Sequence, residues 1–166
     1  LVGSEMCIRD SIRGAQRNTI AVRTGDLGNS IEQRPQVVND RQEFGHWEID
    51  TIVGKRKAGE VLLALDERMA CCRHVIKISG KAKEGVRQGL EILRRQYGSL
   101  FSKVFRSITS DNGSEFSGLS KLFKEGKVYF AHPYSSGERG TNEKHNSLVR
   151  RFIPKGKDLS LIHISE

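Results

Sequence analysis

His46-Trp47-Glu48-Ile49-Asp50-Thr51-Ile52-Val53-Gly54 is the stretch on which the fold turns. Trp47, Ile49, Thr51 and Val53 alternate with His46, Glu48, Asp50 and Ile52, the period of a strand. Gly54 with the basic run Lys55-Arg56-Lys57 then makes a turn. Val61 to Leu65 is an unbroken apolar run, and Cys72, His74, Ile76 and Ile78 alternate again, so three strands follow in hairpin succession. The period then lengthens. Val86, Leu90, Leu93 and Tyr97 predict a helix over 81–98, closed by Gly98. Val104 to Ser110 reads as a fourth strand ending at Asp111, residues 114–125 as a short helix, and Lys127 to Ala131 as a fifth strand. After His132-Pro133 and a Ser/Gly loop, Thr141 caps a last helix that runs to about Phe152 and stops before Pro154 and Gly156. The order predicts an α/β fold: a mixed five-stranded sheet, its first three strands antiparallel, flanked by helices.

Outward from this core, 46–158, the chain loses its periodicity. From Ser11 to about Gly45, Gly, Asn, Arg and Gln are scattered without pattern and Pro35 forces an extended backbone, so 11–45 reads as a linker. The two ends, 1–10 and 159–166, resemble translated sequencing adapter. Codons for Ser4-Glu5-Met6-Cys7-Ile8-Arg9-Asp10 reverse-complement into codons for Leu159-Ser160-Leu161-Ile162-His163-Ile164-Ser165-Glu166. Both are therefore expected to be non-native and are left out of fold reasoning.

With 166 residues the chain has room for one domain with a real core, and 36% hydrophobic residues fit neither the disordered nor the membrane class. No apolar stretch approaches the ~18 residues of a spanning helix. The formal net charge is +8, which suits a polyanionic partner, although a solvated basic surface is the ordinary alternative. Leaving out the adapter-like residues 1–10 and 161–166 removes three acids and one Arg, which makes the remainder more basic still. Three cysteines, two of them the neighbours Cys71 and Cys72, make neither a disulfide framework nor a zinc site of usual spacing, and a reducing cytoplasm is expected.

Three acids stand out. Asp50 lies inside an otherwise apolar strand, where an unpaired carboxylate is costly; a solvated sheet face beside Glu48 is the plain alternative. Asp111-Asn112-Gly113 is a common turn tripeptide, but here it joins a strand to a helix at a strand end, where functional groups of such sheets collect. Glu143 shares a helical stripe with Asn146 and Arg150, facing away from an apolar side formed by His145, Leu148, Val149 and Phe152. That stripe is also what a solvated helix face looks like. Two hard divalent ions ~3.5–4 Å apart, held by a few such carboxylates, can activate an attacking oxygen and stabilise a leaving one in phosphoryl transfer.

Together the blocks are specific. The segment His46 to Gly54, then Ser110-Asp111-Asn112-Gly113-Ser114-Glu115-Phe116, then Tyr129-Phe130-Ala131-His132-Pro133-Tyr134-Ser135, then Glu138-Arg139-Gly140-Thr141-Asn142-Glu143-Lys144-His145-Asn146, resemble in order the blocks of the IS-thirty family of bacterial insertion-sequence transposases. Arg150-Arg151-Phe152-Ile153-Pro154-Lys155-Gly156 is similar to that family too, and the likeness covers about residues 34–160. The resemblance implies a ribonuclease-H-like integrase core whose acid triad is Asp50, Asp111 and Glu143, all three catalytic and all three metal ligands. It implies two Mg²⁺ or Mn²⁺ ions, DNA partners (the element's inverted-repeat ends and target DNA), a homo-oligomer on that DNA, strand cleavage and strand transfer, and no membrane. Asn112, Asn142 and Asn146 are candidates to support the triad or contact phosphates, and Arg139, Lys144, Arg150, Arg151 and Lys155 to contact the DNA backbone. His46 and His132 flank the blocks without an assignable role.

Ile49 stands where the family more usually has a small residue, and Lys144-His145 replace a more neutral pair. Nothing in 11–45 looks like the helix-turn-helix region that such transposases carry upstream. A nuclease that cuts without joining, or a truncated DNA-binding remnant, are the rival readings.

Overall fold

The computed structural model describes residues 28–54, 59–132, 140–157 and 159; within its last helix the side chains at positions 140, 141 and 143 lie outside the description. The expected turn at Lys55-Arg56-Lys57, the loop carrying Arg139, and the adapter-like ends apart from Leu159 likewise fall outside it.

The elements in chain order are β1 (Asn29–Ser30), α1 (Gln36–Asn39), β2 (His46–Val53), β3 (Glu60–Glu67), β4 (Arg73–Ser79), α2 (Lys83–Tyr97), α3 (Phe101–Val104), β5 (Ser107–Ser110), α4 (Leu119–Leu122), β6 (Lys127–Phe130) and α5 (Gly140–Phe152). The strands form one six-stranded sheet in the order β1-β6-β5-β2-β3-β4. β2, β3 and β4 are antiparallel neighbours, as the hairpin succession predicts, whereas β5 runs parallel to β2 and β6 parallel to β5.

Three expectations need correcting. The sheet has a sixth strand, because Asn29 and Ser30, inside the stretch read as a linker, pair in parallel with Tyr129 and Phe130. Two residues are too few to show a period of two, so the strand leaves no trace in the pattern. The fourth strand also starts late: Val104 closes the short α3 and only Ser107–Ser110 are extended. The segment read as one helix over 114–125 is a 3-10 turn at Ser114–Phe116 followed by the single turn of α4.

The sheet is covered on both faces. Trp47 and Ile49 of β2, Leu63 and Leu65 of β3 and Ile108 of β5 pack beneath Val86, Leu90 and Leu93 of α2, and all are essentially buried. Each such side chain contributes roughly 1.5–3 kcal/mol by leaving water. Glycines let α2 come close, since a Cβ at Gly85 would stand 2.7 Å from the Gly80 carbonyl oxygen. Gly98 ends the helix at φ 52, a conformation that disfavours any side chain. On the opposite face Val149 of α5 and Ile153 just past it pack against Ile52, Leu62, Ala64 and Leu159. Leu159, the first of the residues read as adapter-like, is fully buried there. Among the described residues no helix is long and apolar enough to cross a membrane.

An aromatic stack closes one end of the larger core. Trp47 lies 4.7 Å from Phe105 and 5.2 Å from His74, whose Nε2 is 2.6 Å from the Tyr97 hydroxyl. Burial holds the His74 imidazole below its ordinary value, which favours its neutral form in the folded chain. As pH falls below about 6.5 the unfolded chain takes up a proton that the native imidazole refuses, and stability declines until the native group titrates. We predict that thermal melts between about pH 5 and 7 show a shallower decline for His74→Gln than for the wild type; equal slopes would show that His74 contributes nothing to it.

Candidate active site

The parallel pairing of β2 with β5 matches His46 to Ser107, Trp47 to Ile108 and Glu48 to Thr109. Counted on by two residues along each chain, the same register would set Asp50 opposite Asp111, just past the end of β5. Neighbours level across parallel strands project from the same face. Asp50 shares that face with Glu48 and Ile52, the face that α5 covers, while Trp47 and Ile49 enter the core under α2.

Each of the two carboxylates is held by short bonds. The Asp50 Oδ1 accepts the Thr51 amide at 2.9 Å, and its Oδ2 accepts the Asn146 side-chain amide of α5 at 2.6 Å. The Asp111 Oδ1 accepts the Gly113 amide at 2.9 Å, a turn made by the side chain itself. Asn112 donates to the Ala131 carbonyl at 3.0 Å, tying the loop after β5 to the end of β6. A Cβ at Gly113 would lie 2.9 Å from Asp111 Oδ1 and 2.7 Å from Glu115 Oε2, so one carboxylate would have to swing aside to admit it. The Glu115 carboxylate is thus beside Asp111, where it accepts the Thr51 hydroxyl at 3.0 Å and pairs with Lys81 at 3.1 Å. Sequence reading quoted Glu115 without giving it a part. Its signal was weak, because one acid in a turn-rich heptad is ordinary.

Glu143 lies in the first turns of α5 as far as its backbone is concerned. The two residues of its stripe both reach β2: Asn146 donates to Asp50, and Arg150 donates to the Val53 carbonyl at 2.9 Å. Asn142, immediately before it, is buried and gives its backbone amide to Glu48 Oε2 at 3.0 Å. The expected apolar side of this helix is wrong in part. Leu148 and Phe152 are exposed, at 44% and 86%, while Asn142, His145 and Asn146 turn toward the sheet. The reason lies in the sheet face beneath, which carries Glu48, Asp50 and Asp66 and so selects polar partners.

That face holds two fully buried acids that sequence reading passed over. Glu48 pairs with Arg68, and Asp66 is gripped by Arg73 through Nε at 2.6 Å and Nη2 at 2.5 Å, with His145 Nδ1 also at 2.5 Å. Arg73 Nη2 reaches on to Asn146 Oδ1 at 2.9 Å, so a chain of bonds runs from Asp66 through Arg73 and Asn146 to Asp50. Buried charges need this kind of pairing. Of the candidate DNA-contacting residues, Lys144, Arg151 and Lys155 are exposed, and Arg150 is partly committed to β2.

Among the described residues no three His, Cys, Asp or Glu side chains converge on one point at metal-holding distance. The donor chemistry nevertheless fits a hard divalent cation, since Asp50 and Asp111 are carboxylates, the oxygen donors such an ion takes.

No family model matches the chain. It is 48% identical over 135 residues, 80% of its length, to the probable transposase for insertion-like sequence element IS1161 of Streptococcus salivarius. It is 39% identical over 133 residues, 78% of its length, to the transposase for insertion sequence element IS4351 of Bacteroides fragilis. It is also 32% identical over 151 residues, 87% of its length, to the transposase InsI for insertion sequence element IS30A of Escherichia coli strain K12. The chain belongs to the IS-thirty family of insertion-sequence transposases. It spans well under half of these relatives, 37%, 39% and 38% of their respective lengths.

Among solved structures, this IS-thirty family chain is similar to a chain in the cryo-electron-microscopy structure of the simian T-cell lymphotropic virus intasome in complex with PP2A regulatory subunit B56 gamma. That match has a TM-score of 0.51 and 14% identity, and covers 64% of this chain and 38% of the other. At that identity the likeness speaks for the fold alone, and with the mixed sheet flanked by helices the fold is ribonuclease-H-like.

The acids of this family member divide by their surroundings. We predict that Asp66→Ala, which removes the buried carboxylate that Arg73 grips and leaves the largely covered guanidinium unpaired, costs about 3–5 kcal/mol in urea unfolding. Asp50→Asn, at a half-buried position with an amide partner, should cost less than about 1 kcal/mol. The reverse order would show that the carboxylate held for stability has been misidentified.

Proposed function

We propose that this chain is the catalytic core, residues 46–158, of a bacterial insertion-sequence transposase, a polynucleotidyl transferase that cleaves DNA at the element's inverted repeats and joins the ends to target DNA. Support for the reading comes from the parallel pairing of β2 with β5, which ends at Glu48 and Thr109, two residues before Asp50 and Asp111, and from α5, which bears Glu143 and reaches Asp50 through Asn146. In this proposal Asp50, Asp111 and Glu143 hold two Mg²⁺ or Mn²⁺ ions. Those ions, when bound, supply activation of the attacking oxygen and stabilisation of the departing 3′-oxygen.

The chain's own residues do the rest. The Thr51 amide and Asn146 fix the Asp50 carboxylate, and the Gly113 amide fixes that of Asp111, so both are oriented before any ligand arrives. Lys81, half-exposed on its tether to Glu115, stands at the edge of the same site. Lys144 and Arg151 on α5 and Lys155 beyond it offer exposed cations to the DNA backbone, and Arg139 belongs to the same proposed set. The net charge of +8 supports a polyanion as partner. Assembly as a homo-oligomer on DNA and action in the bacterial cytoplasm belong to the same reading.

The test uses the three acids. We predict that Asp50→Asn, Asp111→Asn and Glu143→Gln each abolish metal-dependent nicking of inverted-repeat DNA while gel-shift affinity for that DNA stays within about threefold. Normal end joining by any one variant would remove that residue from the site. Nicking by the wild type without any joined product would favour a nuclease over a transposase, and binding without turnover would favour an inactive remnant.

A further inference from the structure

Beneath α5 the fully buried Glu48 spends one carboxylate oxygen on Arg68 and the other on the backbone amide of Asn142. Arg68 is itself buried and also reaches the Val38 carbonyl at 3.2 Å and the Asn39 carbonyl at 3.5 Å, at the end of α1. Asn142 is the third residue of α5, and an amide so early in a helix has no acceptor within it. A carboxylate at that place satisfies the amide and suits the positive end of the helix dipole. The Asn142 side chain takes no part, because neither its oxygen nor its nitrogen has a partner among the described residues. The attachment is through the main chain.

A second attachment lies one turn on, where Asn146 donates to Asp50. Four residues advance a helix by about 6 Å, and two residues advance a strand by about 6.8 Å. Glu48 and Asp50 on β2 therefore match Asn142 and Asn146 on α5 in spacing. Two bonds at that spacing stop the helix from sliding along the strand or rolling on it, and residue 143 lies between them in sequence.

We infer that Glu48, neutralised by Arg68, is a positioning residue that moors the first turn of α5 and thereby sets where residue 143 stands relative to Asp50. This rests on the proposed metal-holding role of Glu143, and the experiment separates the two. Two double variants of the full chain differ only in the acceptor. Glu48→Gln with Arg68→Met keeps an oxygen for the Asn142 amide, whereas Glu48→Met with Arg68→Met removes it. Neither leaves a buried charge unpaired, so the fold should survive both.

Amide hydrogen exchange is read at Asn142, with β3 amides as internal reference, and Mn²⁺ affinity is read by calorimetry. The Gln/Met variant should keep the slow Asn142 exchange and hold Mn²⁺ within about threefold of the wild type. The Met/Met variant should exchange Asn142 at least about tenfold faster and bind Mn²⁺ at least about tenfold more weakly, with β3 unchanged in both. Identical behaviour of the two doubles at Asn142 overturns the mooring. So does a wild-type Asn142 amide that exchanges as fast as an unbonded first-turn amide, a measurement that needs no variant. Glu143→Gln is the separate control: if it leaves Mn²⁺ affinity unchanged, the reading of Glu143 fails while exchange at Asn142 still decides the mooring.

Discussion

The parallel pairing of His46–Glu48 with Ser107–Thr109 is the contact on which everything else depends. It joins two stretches some sixty positions apart and turns a three-stranded antiparallel ribbon into a mixed sheet. Because successive side chains of a strand alternate between faces, a slip of one residue would send Asp50 into the apolar core and bring Ile49 up to the polar face. The register is held by what lies on the two faces. Trp47 and Ile108 are locked under α2, and Trp47 also donates its indole N–H to the Val104 carbonyl at 2.8 Å.

The opposite face carries a different kind of organisation. Glu48 and Asp66 face each other across β2 and β3, and each is neutralised by an arginine, Arg68 from the turn after β3 and Arg73 from β4. Pairs of this kind add little net stability, since desolvation offsets the attraction, but losing one partner is costly. They therefore specify an arrangement more than they strengthen it. Here the arrangement specified is the seat of α5, which meets the sheet through Asn142, His145 and Asn146 at its polar end and through Val149, with Ile153 just beyond the helix, at its apolar end.

This explains why the helix pattern misled. A binary reading assigns apolar residues to the buried side, so Leu148 and Phe152 look like core positions and the Asn146 stripe looks like surface. The sheet face under the first half of α5 bears three acids, and a helix laid on carboxylates must present donors to them. The short β1 escaped notice for another reason. Its two residues acquire strand character only from the β6 edge they pair with, and nothing local marks them.

Composition, period and order in the chain determined much by themselves: three antiparallel strands, a helix within 81–98, a fifth strand at 127, a basic chain, and acids at positions 50, 111 and 143 set in blocks that resemble one family. These are properties of local patterning, and local patterning is written in adjacent residues. The tertiary structure alone decided what surrounds each acid. Asp50 and Asp111 lie just beyond a pairing between strands distant in sequence, and Glu48, Asp66, Arg68, Arg73 and Glu115 acquire their parts only once two faces of one sheet have been covered by different helices. A charge shows its function through its neighbours in space, and those neighbours are fixed by long-range pairing that no stretch of sequence contains.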